Sequence, residues 1–366
     1  MACRFCGSTV GEVVLDLGDQ PACEYFPPID AGGEDPVFPL RLWLCAGCAL
    51  AQLADDAVLP DEPVGVEPTA LSLQRADAVR WCAERGLLDG AGTVAEGPTP
   101  HGGSWLPGLS EHGIAEAASD APADLVVDGS FGLMHAADQR AALAGLLDRL
   151  APGGRLLFQF HSLAAILRLR QWNAVRLGHY AYYSTPSVVG MLARLGLTVE
   201  SATEFGLYGG TVLLSATRGG APDSSVAELV DSELAIGVTD AAALRFLQSA
   251  VDGSLASLRS VAERAKADGS QLYGYSAASR AVSLLYLARP VEGLVAGVAD
   301  ASPAKQGCRM PGTTVPIISP DELLRARPQR VVVFVPDLLP EVREALPGVE
   351  RSGGTWLDLE ALTASP

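Results

Sequence analysis

The sequence predicts an α/β protein in which a small metal-binding module precedes two doubly wound sheets, and three observations carry that reading. The first is a pair of Cys-x-x-Cys units near the N-terminus, Cys3/Cys6 and Cys45/Cys48. The second is a central stretch in which short β-rich runs alternate with runs of helical period, the pattern of a sheet wrapped by helices. The third is a second series of strand and helix signals that follows a long helical segment. A length of 366 residues suits two or three domains, and 48% hydrophobic with 19% charged residues is the composition of a chain that buries cores. The net charge of −17, from 26 basic and 43 acidic residues, argues against nucleic acid and anionic membrane as partners. No apolar run approaches the roughly 20 residues that span a bilayer. Met1-Ala2-Cys3-Arg4 begins no signal peptide, so the expected location is the cytoplasm.

The first expected domain is residues 1–62. Pro21, Pro27, Pro28, Pro36 and Pro39 interrupt the segment between the cysteine pairs, which therefore reads as loops and short strands. Thiolates presented two at a time by Cys3, Cys6, Cys45 and Cys48 give the tetrahedral sulfur shell that zinc prefers, and four of them leave no open position, so the zinc is structural. Seven cysteines, an odd number in a cytosolic chain, argue against a disulfide framework, and Cys23, Cys82 and Cys308 read as small core residues. The second expected domain, 63–220, opens with a helix over 71–88. Strands follow at 93–96 and 125–128, then a helix over 137–150 and a strand over 155–160 after the Pro152-Gly153-Gly154 turn. A helix over 187–195 and strands over 198–204 and 211–216 complete it. Helices over 224–234 and 240–266 make a helical linker, 221–268. The last domain, 269–366, has strands over 271–274, 293–298 and 331–335 separated by helical runs.

Cys3-x-x-Cys6-Gly7, Leu17-Gly18-x-Gln20-Pro21, Pro39-Leu40-x-Leu42 running into Cys45-x-x-Cys48, and Gln52-Leu53 together resemble the N-terminal zinc domain of the deoxysugar C-methyltransferases. The resemblance continues at Gly209-Gly210-Thr211 and is most extensive at Asp300-x-x-Pro303-x-Lys305-Gln306-Gly307 and Pro311-Gly312-Thr313-x-Val315-Pro316-Ile317. It implies a small zinc-binding domain followed by a class I methyltransferase-like Rossmann domain for S-adenosylmethionine and a second, smaller Rossmann-like C-terminal domain that helps hold a sugar nucleotide. It also implies a reaction of antibiotic or surface-sugar biosynthesis, in which a methyl group is added to a carbon of a nucleotide-linked keto-sugar. A histidine removes the proton beside the ketone, and the carbanion attacks the sulfonium methyl. A carbonyl acidifies its neighbouring C–H, and a histidine that titrates near neutrality can accept that proton.

Carried over position by position, the family's Tyr-His-Glu-His run and aromatic pair fall on Arg176-Leu177-Gly178-His179 and on Tyr182-Tyr183. His179 is the candidate base, Tyr182 its aromatic neighbour, and Arg176 a cation able to stabilise an enolate. The cofactor turn falls on Val94 to Gly103, with Glu96, Gly97 and Gly102 as candidate contacts. Pro98 and Pro100 stand inside it and remove backbone N–H donors. Residues 103–124 are too few for the two helices of about 11 residues and the strand of about 5 that belong there, so a β-α unit is expected to be missing together with the acidic ribose ligand. Glu116 on a very short strand is the candidate replacement. In the last domain, the turn at Gly274, Ser276 and Arg280 puts a helix N-terminus where a pyrophosphate would bind, and Lys305, Gln306, Pro311, Gly312 and Thr313 are the other candidate substrate contacts. His135 and His161 lie after strands and read as structural or substrate-bonding. Three functions follow: methyl transfer to a nucleotide-activated keto-deoxysugar; a SAM-independent epimerase, isomerase or dehydratase working through the same enolate; and a non-catalytic protein that binds a sugar nucleotide or supports a partner protein.

Overall fold

The structure, a computed structural model, describes residues 1–57, 67, 69–100, 102–289 and 293–358. The expected boundary at 62/63 and residues 359–366 of the expected last domain lie outside them. Three sheets organise the described residues. The first is antiparallel, with β1 (Gly11–Pro21), β2 (Val37–Cys45) and β3 (Ala51–Leu53) in sequence order and a fourth strand, β8 (Ala181–Tyr182), arriving from far along the chain to pair with β3. The proline-interrupted segment thus forms a bulged hairpin whose strands, 11 and 9 residues long, exceed the short ones expected, with a loop over 22–36 between them.

The second sheet contains β4 (Thr93–Glu96), β5 (Ala115–Glu116), β6 (Ala123–Asp128), β7 (Leu150–His161), β9 (Thr198–Phe205) and β10 (Thr211–Thr217), in the spatial order β5-β4-β6-β7-β10-β9. The first four run parallel, and β10 is antiparallel to both β7 and β9. Between β4 and β6 the described residues make only a five-residue helix, Leu106–Ser110, and the two-residue β5. The third sheet, β13-β12-β11-β14-β15, is parallel throughout and doubly wound, built from β11 (Leu272–Tyr275), β12 (Val295–Ala299), β13 (Ile317–Ile318), β14 (Arg330–Val333) and β15 (Thr355–Asp358). The fold is α/β, as the alternation of signals predicts.

Local chemistry sets the element ends. The helix expected over 71–88 spans Thr69–Glu84, because Gly86 turns the chain at φ +69°. Asp138 caps Gln139–Asp148 by accepting from the Ala141 amide, and Ser184 forms a reciprocal capping box with Ser187 at the start of Thr185–Ala193. The second linker helix is broken at Arg245 into Ala241–Leu244 and Phe246–Ala267. That long helix is no passive connection. Its Leu247, Val251, Leu258 and Val261 share one core with Leu40 and Leu42 of the first sheet, Trp172 and Val175 of the central part, and Val282 and Leu285 of the third. Burying each such side chain stabilises by roughly 1.5–3 kcal/mol, so the first sheet, the third sheet and the 163–177 segment of the central part are fastened around it. Trp172 adds a hydrogen bond to Ser254 on the same helix at 2.9 Å. Among the described residues no helix is long and apolar enough to cross a membrane.

Candidate active site

The cysteine pairs meet at one point. Cys3 and Cys6 flank the turn before β1, Cys45 ends β2, and Cys48 lies in the turn to β3. Their four sulfurs lie within 4.8 Å of one another, with Cys3 to Cys48 at 3.5 Å and Cys6 to Cys45 at 3.6 Å. Four sulfurs each about 2.3 Å from a zinc ion would stand about 3.8 Å apart. The Gly47 amide donates to the Cys45 sulfur at 3.3 Å, and Gly7 and Ala49, each following a pair, take φ +73° and +56° to close the two knuckles. The donor set fits a structural zinc. Among the described residues no second group of three or more metal-binding side chains occurs, so His135, His161 and His179 do not assemble into one. Cys23 and Cys82 are buried and Cys308 half-buried, and none of the three forms a disulfide.

A cavity of about 460 Å³ is bordered by all three parts of the chain. Glu24 comes from the loop between β1 and β2. Phe131, Met134, His161, Arg176, His179 and Tyr208 come from the central part, and Tyr275, Ser276, Ser279, Arg280, Asp300, Lys305 and Asp337 from the last. A second hollow of about 490 Å³ lies at the opposite, N-terminal edge of the third sheet around Lys266 and Gly293, away from this chemistry.

Arg176 organises one wall. Its guanidinium is buried and donates through Nε to His179 Nε2 at 2.8 Å and through Nη1 to Glu24 at 3.0 Å. The neutral imidazole therefore carries its proton on Nδ1, and its acceptor lone pair is engaged by Arg176. The His135 ring meets His179 edge-on at 4.6 Å between centroids. Tyr182 stands behind this group: its hydroxyl accepts from the Arg176 amide at 2.8 Å and faces the Arg176 carbonyl at 3.2 Å, which fixes the 176–182 loop from outside the cavity. Burial pushes its phenol above the ordinary value. His161 lies in the wall with Nε2 3.1 Å from the Tyr208 carbonyl. Burial, followed by the charge of Arg280, pushes its pKa down to about 3, so it stays neutral.

The other wall is the switch point of the third sheet, between the ends of β11 and β14, where open α/β sheets bind ligands. Ser276 takes φ +72° there, and the helix Ser279–Leu287 starts behind it with Arg280 facing the cavity. The Asp300 carboxylate accepts from the amides of Ala277 and Ser302, both at 2.8 Å, and ties the loops after β11 and β12 together. Lys305 donates to the Ala277 carbonyl at 2.8 Å and lies over the Phe26 ring. The other candidate substrate contacts do not reach the cavity. Gly274 makes room for the Phe334 ring, and Gln306 holds the Asp300 carbonyl at 3.0 Å. Pro311 and Thr313 are buried, and the Gly312 amide donates to Asp35 at 2.6 Å. Arg309 pairs with Asp35 through both terminal nitrogens, at 2.6 and 2.8 Å. This motif fastens the first part of the chain to the last.

The candidate cofactor contacts serve the chain itself. The Glu96 carboxylate accepts from the Ser104 hydroxyl and the Trp105 amide, both at 2.6 Å. Gly97 donates to Val127 at 2.7 Å, Gly102 closes a turn back to Thr99, and Glu116 is exposed on the two-residue β5. These residues do not fit S-adenosylmethionine. Glu24, Tyr208 and Asp337 line the cavity without any sequence signal that singles them out, whereas Asp300 opens the motif that runs to Gly307.

Residues 3–62 match the family described as a zinc binding domain, and residues 206–358 match the one described as C-methyltransferase C-terminal domain. The C-methyltransferase NovU of Streptomyces niveus is 23% identical over 97% of this chain and 94% of its own length. Among solved structures, the magnesium protoporphyrin IX methyltransferase ChlM of Synechocystis covers 43% of this chain and 90% of its own at 15% identity and a TM-score of 0.29. The N-methyltransferase NodS of Bradyrhizobium japonicum covers 43% of this chain and all of its own at 15% identity and a TM-score of 0.29. The cysteine knuckles at one end match a zinc binding domain, the last part of the chain matches a C-methyltransferase C-terminal domain, and a curated C-methyltransferase is similar to the chain over nearly its whole length.

Proposed function

We propose that the chain binds a nucleotide-activated keto-deoxysugar in the central cavity and removes the proton beside its ketone with His179. The observation that carries this reading is the make-up of the cavity: the helix N-terminus at Ser279, Arg280 and Lys305 offer an anion cradle for a diphosphate, and His179 and Arg176 stand on the wall from the central part. Arg176 engages the His179 lone pair until an anion draws the guanidinium away. The anionic substrate supplies that pull as it enters, so that substrate binding itself frees the base. The C–H bond then breaks toward Nε2, its electron pair forms the enolate, and Arg176 neutralises the oxyanion.

A second reading, a sugar-nucleotide binder without catalysis, is favoured by the same Arg176–His179 contact. The experiment that separates them incubates the protein with a thymidine-diphospho-4-keto-6-deoxyhexose in heavy water and weighs the sugar. Deuterium uptake by the wild type and its loss in His179→Ala support the enzyme. Binding without uptake supports the binder, and failure to bind overturns both.

A further inference from the structure

In the central sheet the chain leaves β4 toward β5 and β6 toward β7, so the ligand crevice belongs between the C-terminal ends of β4 and β6. The chain itself fills that place. Trp105 is fully buried among Val94, Leu125 and Val127, and its indole N–H donates to the Gly129 carbonyl at 3.1 Å, just past β6. A Cβ on Gly129 would lie 2.2 Å from that indole, and one on Gly132 would lie 2.2 Å from the Pro98 carbonyl. The loops after β4 and β6 therefore touch. Their polar groups are spent within the chain: Ser130 donates across to the Gly103 carbonyl at 2.6 Å, and in the loop after β6 the Asp128 carboxylate accepts from the amides of Gly132 and Leu133 at 2.9 and 3.0 Å. Pro98 and Pro100 contribute no N–H to a phosphate or carboxylate.

We infer that the central sheet no longer accepts a nucleoside ligand, that S-adenosylmethionine is not bound, and that turnover ends with return of a proton rather than transfer of a methyl group. The chemical half rests on the function proposed above. One C–H bond breaks, its proton passes to His179 or to solvent, and one C–H bond re-forms on either face of the enolate. No methyl donor, oxidant or reductant enters, and the net change is hydrogen exchange or epimerisation beside the ketone.

The full-length, zinc-loaded protein is titrated calorimetrically with S-adenosylmethionine and with S-adenosylhomocysteine at millimolar concentration, while amide exchange around Trp105 and Gly129 is followed. No saturable binding and no added protection are expected; either one overturns the inference. The same protein is then given the thymidine-diphospho-4-keto-6-deoxyhexose in heavy water, with and without S-adenosylmethionine. Equal deuterium uptake in both supports the inference, and a methyl-sized mass gain with the cofactor overturns it. Sugar nucleotide that binds without exchange in either tube overturns the chemical half. A protein that binds neither molecule supports the closed crevice and defeats the proposed function, so the two failures are distinguishable.

Discussion

At Tyr208, backbone strain and cavity chemistry coincide. The residue holds φ +57°, a conformation that costs a non-glycine residue about 1 kcal/mol or more, and it is kept there from both sides. Its amide donates to Asp337 at 3.1 Å, and its carbonyl meets His161. The ring stands 5.7 Å from the Arg280 guanidinium, and burial raises the phenol pKa against the pull of that charge, so the hydroxyl stays protonated. A protonated phenol in this wall can donate a hydrogen bond to an enolate oxygen. Tyr208→Phe is expected to slow hydrogen exchange of the bound sugar by about 100-fold while leaving its affinity little changed, the split measured by exchange kinetics beside calorimetry. His161 gives a pH test. Its folded pKa of about 3 lies below the ordinary 6.5, so the unfolded chain binds more protons between these values. The stability this residue contributes is therefore complete above pH 6.5 and lost as pH falls toward 3. Glu233, raised by burial to about 7, works in the opposite direction, losing its contribution as pH rises. The wild type minus His161→Gln isolates the histidine: urea midpoints measured down the acid range should fall more steeply in the wild type, and parallel curves would contradict the assignment.

At the scale of elements, the loop between β1 and β2 carries Glu24 to the cavity and Asp35 to Arg309. Asp35 and Arg309 are both shielded from solvent. Burial alone would push the Asp35 carboxyl up, yet Arg309 and the Gly312 amide hold it below the ordinary value. Asp35→Ala would strand a buried guanidinium at a cost of about 3 kcal/mol, read as a drop in urea midpoint. It should also weaken sugar-nucleotide binding, because the 305–313 segment that carries Lys305 is anchored there. The sequence marks Pro311-Gly312-Thr313 as a unit, but a motif records that residues are constrained and not what constrains them. Gly312 holds φ +68° with Tyr286 2.3 Å from any added Cβ, and Thr313 bonds the Met310 carbonyl, so packing accounts for the unit. The cysteine pairs and the strand Thr93–Glu96 are legible because their signals are local: ligand spacing in one case, a short β-rich run in the other. Glu24, Tyr208 and Asp337 are not, since they meet only through packing between distant stretches. β8 is invisible for a related reason. Two residues carry no periodicity, and their pairing with Ala51 and Gln52 is decided by the fold.

Across the whole molecule, the zinc knuckles and the cavity are mechanically joined. Cys45 and Cys48 hold the turn between β2 and β3; β3 pairs with β8; and Tyr182 in β8 fixes the Arg176 backbone, whose side chain positions His179. Four protein thiolates leave the metal no place to act on substrate, so its influence on the cavity has to pass along this chain of contacts. About one zinc per chain is expected by elemental analysis, as for a closed four-thiolate site. Chelation under reducing conditions should lower the melting temperature, expose the β3–β8 amides to exchange and abolish sugar-nucleotide binding together, with zinc restoring all three. Cys48→Ser should reproduce the chelated state without any chelator. The order of events is informative, because a metal that merely solidified its own module would leave the Arg176 loop protected after removal. Loss of exchange protection at β8 before any loss at β11 and β14 would show that the knuckles hold the proton-handling wall of the cavity while the third sheet holds its anion cradle independently. Retained melting temperature and retained binding in the metal-free protein would break the link at its first step.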